Sequence, residues 1–476
     1  MPSSARPQRI RDPLHNLIEF DSGQFERSLW RTIQTRPFQR LRRIKQLGFS
    51  EFVFPGATHT RFSHSVGVFH MARLLTAVIR QFEGNHIQQH QCDVALAAAL
   101  VHDVGHGMFS HSFEEVGKEL DLPMARHETV SERLIRDGEI ADVLNQELGS
   151  GFAKDVADLL KRREPGSMYD SVVSSQFDAD RLDYMQRDRL MTGVQSSGID
   201  ATWLLANLEI AEVSASADDE QSGTVDTLVL GPKAFHAAEN YVLSLFQLYP
   251  NVYLHKTTRG AEKLFSHLML RIIHLVREGH SNKTGLVENH PIIKFAMDAS
   301  KLDYALELDD SVFWGSLSLM SEAKDEQIRK WAVSLRERQL PKCIDIRRFV
   351  EHLDPLTPEM TLSERHEREA RVRLACKSIV SKINDLIRER KGKNSAILLD
   401  EARRTPYKRY QDSRTQLNQI LIKQGDEQIE DMATLSPVVS SASAFEICRA
   451  YYFEDDESGR SMVEEQIKNI SDGAKK

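Results

Sequence analysis

Cysteine is scarce. The 476 residues include four, Cys92, Cys343, Cys376 and Cys448, none of them in a CxxC pair. Such spacing supports neither a disulfide framework nor a thiolate zinc site. Long apolar runs are lacking as well. No stretch approaches the roughly 20 residues that a membrane-spanning helix needs. The first residues, Met1-Pro2-Ser3-Ser4-Ala5-Arg6-Pro7-Gln8-Arg9, hold no apolar core of the secretory kind. The expectation is a soluble, cytoplasmic chain with no membrane partner. Positive charge is not in excess either. Lys and Arg number 62 against 70 Asp and Glu, a formal charge of −8. Nothing in that balance favours nucleic acid as a partner, although a local basic patch stays open. No internal repeat is visible. What is present is an ordinary globular balance, 41% hydrophobic and 28% charged, enough to fill a core. The length suits one large domain with an appendage, or roughly two or three domains.

The patterning predicts a mainly α chain. Residues 1–23 read as extended and turn-rich, with Asp12-Pro13 as a breaker. Helical periodicity runs from Phe25 to about Leu47, interrupted by Pro37, and again from about His64 to Phe82. Val94 to Val101 is apolar nearly all round, which marks a buried helix beginning near Cys92. Helices continue to about Asn207. Glu209–Val213 and Thr227–Leu230 alternate on either side of a polar link, Ser214–Gly223, and predict a hairpin. Helices resume over 235–279 and 286–340. A charged helix, with a solvated face, covers 361–391. Leu417–Ile422 and Phe445–Phe453 read as strands or strand–helix units of a small mixed α/β carboxy-terminal lobe. Gly473–Lys476 reads as a disordered tail. The expected division is 1–50, an amino-terminal oligomer or regulatory segment packed on the core; 51–300, the core; and 301–476, a helical and mixed α/β region.

The sharpest chemical signal is Leu100-Val101-His102-Asp103-Val104-Gly105-His106-Gly107. If the helix continues through it, His102 and His106 share one face, a turn apart. Two imidazoles and a carboxylate at the end of a buried helix are costly unless something binds them, and a divalent metal would. A His-Asp pair alone is most often a capped or surface pair. Three other segments change that balance. In Thr60–Val68, His64 opens an amphipathic helix, and Arg61 precedes it where a phosphate can reach the helix amino terminus. Arg126-His127-Glu128, taken alone, is a surface loop. In Phe177–Asp188, Asp180, Tyr184 and Asp188 fall at helical spacing. An acidic face is usually solvated, but Phe177, Leu182 and Tyr184 interleave here and predict partial burial. His64, His102, Asp103 and Asp180 together offer nitrogen and oxygen ligands suited to Mn, Fe, Mg, Zn or Ni. Such a metal can lower the pKa of water, polarise a phosphoryl group or orient a substrate. His106 and His127 remain as acid/base candidates.

This order of motifs resembles the HD-domain phosphohydrolases: His64 in Arg61-Phe62-Ser63-His64-Ser65, then His102-Asp103, then Asp180 in Asp180-Arg181-Leu182-Asp183-Tyr184. More narrowly it resembles the deoxynucleoside triphosphate triphosphohydrolases of the dGTPase and SAM-and-HD-domain branch. Phe38–Gly48, Phe54–Phe62, His102–His111 and Tyr253–Lys256 are each similar to that branch. The resemblance implies an HD-domain helical core with a small β-hairpin and a mixed α/β carboxy-terminal lobe. It implies that His64, His102, Asp103 and Asp180 ligate the metal. His106, His111 and His127 would line the phosphates and serve acid/base chemistry, with His127 transferring the proton at the α-phosphate. Arg61 and Arg181 would hold the triphosphate. Gln46, Leu47, Tyr184 and Asp188 would contact the sugar, Gln46 and Asp188 reading its 3′-hydroxyl. Tyr253 would pack on the sugar and disfavour a 2′-hydroxyl. The implied reaction yields a deoxynucleoside and intact triphosphate. The implied assembly is a homo-oligomer, dimer or tetramer, with a possible nucleotide activator. Pool control and antiphage dNTP depletion both fit such an enzyme.

Two other readings stay in view. An HD phosphohydrolase of another phosphoester, a monophosphate or cyclic nucleotide, would lack use for Gln46, Asp188 and Tyr253. A nucleotide-sensing or nucleic-acid-binding scaffold would not need an intact ligand set. There is also a departure from the resemblance. Relatives that bind guanine nucleotides at a regulatory contact usually begin the motif before Phe38 with Asp-Thr-Pro. Here Gln34-Thr35-Arg36-Pro37 stands instead. Gln34, Gln39, Arg42, Arg9 and Arg11 form the candidate regulatory set, with surface or interface salt bridges as the other reading of the arginines. Glutamine pairs with a base edge but does not select guanine by charge. Any activator is therefore expected not to be strictly GTP or dGTP. Hydrolysis of one dNTP with each other nucleotide added checks this; strict guanine dependence would defeat it.

Overall fold

The computed structural model describes residues 6–162, 164–214, 223–389, 397–405, 407–408, 415–425, 428–442 and 444–473. Asp12-Pro13 turns the chain back on itself. Strands β1 (Gln8–Asp12) and β2 (Asn16–Phe20) pair antiparallel, Gln8 opposite Phe20. Helices α1 (Gln24–Ile33) and α2 (Arg36–Arg40) follow. Pro37 lies in the first turn of α2, where its missing N–H costs no hydrogen bond. It separates two helices instead of kinking one.

Helix α3 (Arg61–Glu83) begins at Arg61, earlier than the apolar pattern indicates, because the Thr60 hydroxyl caps it by accepting from Ser63 N. Together with the turn to His86 it is long and apolar enough, by length and composition, to cross a membrane. However, 67% of its most apolar window is buried, and α4 (Gln89–Val101) packs along it. The residues of α4 from Val94 to Val101 are all buried, as the all-round apolar pattern requires. Helices α5 (His111–Glu119), α6 (His127–Arg136), α7 (Glu139–Leu148), α8 (Phe152–Lys161) and α9 (Met168–Ser171) follow; α8 and α9 pack on α4, and α6 and α7 pack on α8. Helix α10 (Ala179–Thr192), capped by the Asp178 carboxylate accepting from Arg181 N at 2.8 Å, packs on α3.

The expected hairpin is present as β3 (Leu208–Ser214) and β4 (Thr224–Leu230). Its link, 215–222, lies outside the described residues, as do 474–476 of the expected tail; Gly473 ends a helix. Later strands are β5 (Lys342–Asp345), β6 (Leu398–Arg404), β7 (Leu421–Gln424), β8 (Gln428–Asp431) and β9 (Phe445–Tyr452). The Leu417–Ile422 expectation resolves into a short 3₁₀ turn, Gln416–Asn418, followed by β7. β7 does not pair with β9. It lies parallel to β4, giving a sheet of order β3-β4-β7-β8. β9 is the centre of another, β5-β9-β6.

Two units result. One comprises 1–252, 294–313 and 405–443; the other comprises 253–293, 314–404 and 444–476. The second unit packs Ile346, Val372, Ile379, Ile383 and Val463 into its own core. The four cysteines are free thiols, three of them buried.

The first unit contains a polar pin. Asp310 accepts from the backbone N–H of Lys45 and of Phe109, each at 2.8 Å. Burial, opposed by those two bonds and aided by neighbouring Asp309, raises its pKa to about 6. The folded chain therefore holds this proton more tightly than the unfolded chain, where the pKa is about 3.9. Stability from Asp310 falls as pH rises from about 4 to about 6 and is level above. Asp310→Asn removes that slope. Urea midpoints of both proteins across this range check it; a gap between them that does not change with pH excludes it.

Candidate metal centre and active site

The His-Asp segment is not helical. α4 ends at Val101, and His102 to Gly105 form a turn. The expectation that His102 and His106 lie one helical turn apart is thus corrected. They converge differently: His102 Nε2 lies 3.2 Å and His106 Nε2 3.4 Å from the same Asp103 oxygen. The turn is held from two sides. Buried Arg40 of α2 donates to the carbonyls of Val104 (3.2 Å) and His106 (2.6 Å). Ser131 of α6 accepts from Gly105 N at 2.9 Å. A Cβ on Gly105 would lie 2.3 Å from the His127 carbonyl, so only glycine allows this approach. Beyond it, Phe109 and Ser110 have φ of 50° and 51°. Such left-handed, non-glycine backbone costs roughly 1–3 kcal/mol each and persists only when surroundings enforce it. Asp310 holds Phe109 N, Phe49 stacks on its ring at 4.1 Å, and Arg61 donates to Ser110 Oγ at 2.7 Å.

His64 brings the second imidazole from α3. Its Nε2 lies 3.0 Å from Asp180 Oδ1 and 3.7 Å from Asp103 Oδ2. His102 Nε2 is 3.7 Å from the same Asp180 oxygen. His102 Nδ1 donates to the Ala99 carbonyl at 2.9 Å, which directs Nε2 into the cluster. There Nε2 is buried without a hydrogen-bond partner. Burial pushes His64 down, but its hydrogen bonds with Asp180 and Asp183 outweigh that and carry the imidazole up to about 10. Burial likewise raises Asp103, yet His102, Arg61 and His106 hold it well below the usual carboxylate range. The cluster thus favours a cation. Ligand atoms of His64, His102 and Asp103 lie within 4.8 Å of one another. With Asp180 they form a mixed nitrogen–oxygen set that can hold a divalent metal, whose identity these ligands do not fix.

A second group adjoins it. His127 is the first residue of α6, not part of a loop. Its Nδ1 is hydrogen-bonded to Glu114 Oε1, and His111 Nδ1 lies 3.2 Å from Glu114 Oε2. The His106 and His127 rings stack at 4.0 Å, 9° apart. Burial raises Glu114, but His111 and His127 hold it ionised, well below the carboxylate range. Glu114 was not expected from sequence; its only signal was the His111–Glu114 spacing on an amphipathic helix. Asp183 was also missed, three positions after Asp180 and fully buried.

The remaining expected residues are placed as follows. Arg61 ion-pairs with Asp103 at the start of α3. Arg181 pairs with Asp178 and donates to the Ser175 carbonyl. Asp188 is buried against His59 Nε2 at 2.8 Å. Tyr184 is half-buried on the same helix. Gln46 donates its backbone N–H to the His59 carbonyl at 3.0 Å, and its side-chain oxygen is buried without a hydrogen-bond partner. Leu47 follows it, half-buried. Tyr253 belongs to the other unit. Arg9 pairs with Glu19 and Arg11 with Asn16 inside the β1–β2 hairpin. Gln34 is exposed at the end of α1. Gln39 accepts from Arg42, whose guanidinium lies 3.5 Å from the Phe62 ring centre.

The HD-domain family model matches residues 61–185. Residues 61–185 thus form an HD domain. It is 36% identical to the uncharacterized protein YwfO of Bacillus subtilis over 309 residues, 64% of each chain. It is also 36% identical to the deoxynucleoside triphosphate triphosphohydrolase SAMHD1 of Homo sapiens over 221 residues, 40% of this chain and 34% of the human one. The chain thus spans less than two thirds of these relatives' own length. Its fold is similar to that of a phosphohydrolase of Bacteroides thetaiotaomicron, with TM-score 0.67, 24% identity, and coverage of 94% of this chain and 99% of that one. As an HD-domain protein it should purify with a divalent metal. His102→Ala and Asp103→Ala are expected to lose most of it. Metal per chain, by mass spectrometry, checks this; parent-like content in both variants would reject the ligand set.

Proposed function

We propose that this HD-domain protein hydrolyses deoxynucleoside triphosphates to the deoxynucleoside and inorganic triphosphate. The observation that carries the reading is His106. It touches Asp103 at 3.4 Å and stacks on His127 at 4.0 Å, so it joins a metal-ligand set to an acid/base set. The similarity to a named dNTP triphosphohydrolase supplies the substrate class.

His64, His102, Asp103 and Asp180 would hold a divalent ion, which would supply Lewis acidity to polarise a phosphoryl oxygen and lower the pKa of water. The chain's own groups do the rest. Water attacks the α-phosphorus, the bond to the sugar 5′ oxygen breaks, and that oxygen takes a proton. His127 gives the proton, and the proton that the attacking water loses restores it. Glu114 occupies its Nδ1, which leaves Nε2 for the substrate. His111 shares Glu114, and His106 lines the phosphates. Arg61 and Arg181 hold the triphosphate, whose charge needs cationic donors. Gln46 Oε1, buried without a partner, accepts from the 3′-hydroxyl beside Asp188. Leu47 and Tyr184 pack on the sugar without selecting a base. The working form is a homo-oligomer under nucleotide control through Arg9, Arg11, Gln34, Gln39 and Arg42, and its role is pool control or dNTP depletion against phage.

A panel of dNTPs and NTPs with Mg or Mn tests this. Tripolyphosphate and deoxynucleoside are the expected products. His127→Asn is expected to lower kcat by about 10²- to 10⁴-fold. Release of orthophosphate or pyrophosphate instead overturns the reading.

A further inference from the structure

The β1–β2 hairpin lies far in sequence from the metal ligands, yet its turn reaches them through a buried chain of charge. Asp183 is fully buried. One of its oxygens lies 2.9 Å from His64 Nδ1; the other lies 2.6 Å from His15 Nε2. Arg187, one helical turn on, donates to both oxygens at 2.8 and 2.9 Å. The other side of that guanidinium donates to Asp12 at 2.8 and 3.3 Å. Asp12 also accepts from the backbone N–H of Leu14 and His15, each at 2.9 Å, and so shapes the turn that presents His15. α3 makes room for this. A Cβ on Gly67 would lie 2.0 Å from an Asp183 oxygen and 2.4 Å from Arg187 Nη2.

Stability alone is a poor reason for such a network. Buried ion pairs are often no better than apolar residues of the same volume. Its geometry has a more specific use. With Nδ1 on Asp183, His64 can direct only Nε2 towards Asp103 and Asp180. A ligating imidazole usually gives its other nitrogen to a carboxylate, and loss of that partner costs about 10- to 100-fold in metal affinity.

We propose that the amino-terminal hairpin braces the metal centre: Asp12 and His15 act through Asp183 and Arg187 to fix the tautomer and direction of His64. The proposal rests on the reading that His64 ligates the metal. Asp12 and His15 are positioning residues; neither touches the ligand set.

The test uses the full chain loaded with Co²⁺. The rate of metal loss to excess chelator and the visible absorption band are measured for the parent, Asp12→Asn, His15→Gln and His102→Ala. Asp12→Asn and His15→Gln are expected to release metal about 10- to 100-fold faster and to shift the band. His15→Gln leaves the Asp12–Arg187 pair in place, and it decides the matter where Asp12→Asn does not fold. Parent-like release and an unshifted band, with His102→Ala already metal-poor, overturn the brace but keep the ligand set. So does a lower melting point with parent-like release, because it assigns these residues a purely structural role. Full metal retention by His102→Ala overturns both.

Discussion

One buried carboxylate organises this molecule. Asp103 sits at the end of an apolar helix, where taking a charge out of water costs several kcal/mol unless partners offset it. His102, His106, His64 and Arg61 all face it. They come from three places: the end of α4, the turn after it, and the first turns of α3, which supply both Arg61 and His64. Moving Asp103 would therefore separate the imidazoles of His64 and His102 and detach His106 from them. The rest of the first unit can be understood as what keeps that carboxylate in one place.

Most of that work is done by backbone contacts. The turn from His102 to His106 leaves its own carbonyls without helical partners, and Arg40 takes two of them, those of Val104 and His106. Burial lowers the pKa of Arg40, to about 10, so the guanidinium stays charged at neutral pH. The left-handed pair Phe109–Ser110 then swings the chain into α5, bringing His111 and Glu114 beside His127. Strain in that pair is tolerated because a ring stack, a carboxylate and a guanidinium each fix one part of it. The cluster of His106, Glu114 and His127 is placed by the same turn that places His102 and Asp103.

This explains what could be read from sequence. The clustering of His64, His102, Asp103 and Asp180 was legible because they interrupt or open periodic helices, and polar groups at such points need a reason. The element types were legible where periodicity was long, as in α3, α4 and the β3–β4 hairpin. The break of α4 at Val101 was not, because Gly105 is compatible with either path and the guanidinium that donates to the turn's carbonyls belongs to Arg40, far away in sequence. Asp183 and Glu114 were missed for a related reason. A carboxylate three residues from a ligand or a histidine looks the same whether its face is wet or buried. The parallel pairing of β7 with β4 joins segments nearly two hundred residues apart and leaves no local mark.

Arg61 shows how charge can be shared between the centre and a substrate. It ion-pairs with Asp103 and donates to Ser110, leaving further N–H groups on the same planar guanidinium. In the proposed reaction those groups meet phosphate oxygens while the pair with Asp103 persists. An arginine suits this better than a lysine, whose single ammonium would have to choose between the two anions. Negative charge arriving with the triphosphate then strengthens the field that holds Arg61, while Asp103 keeps its imidazoles. Substrate and ligand set would thus be joined through one side chain that belongs to both.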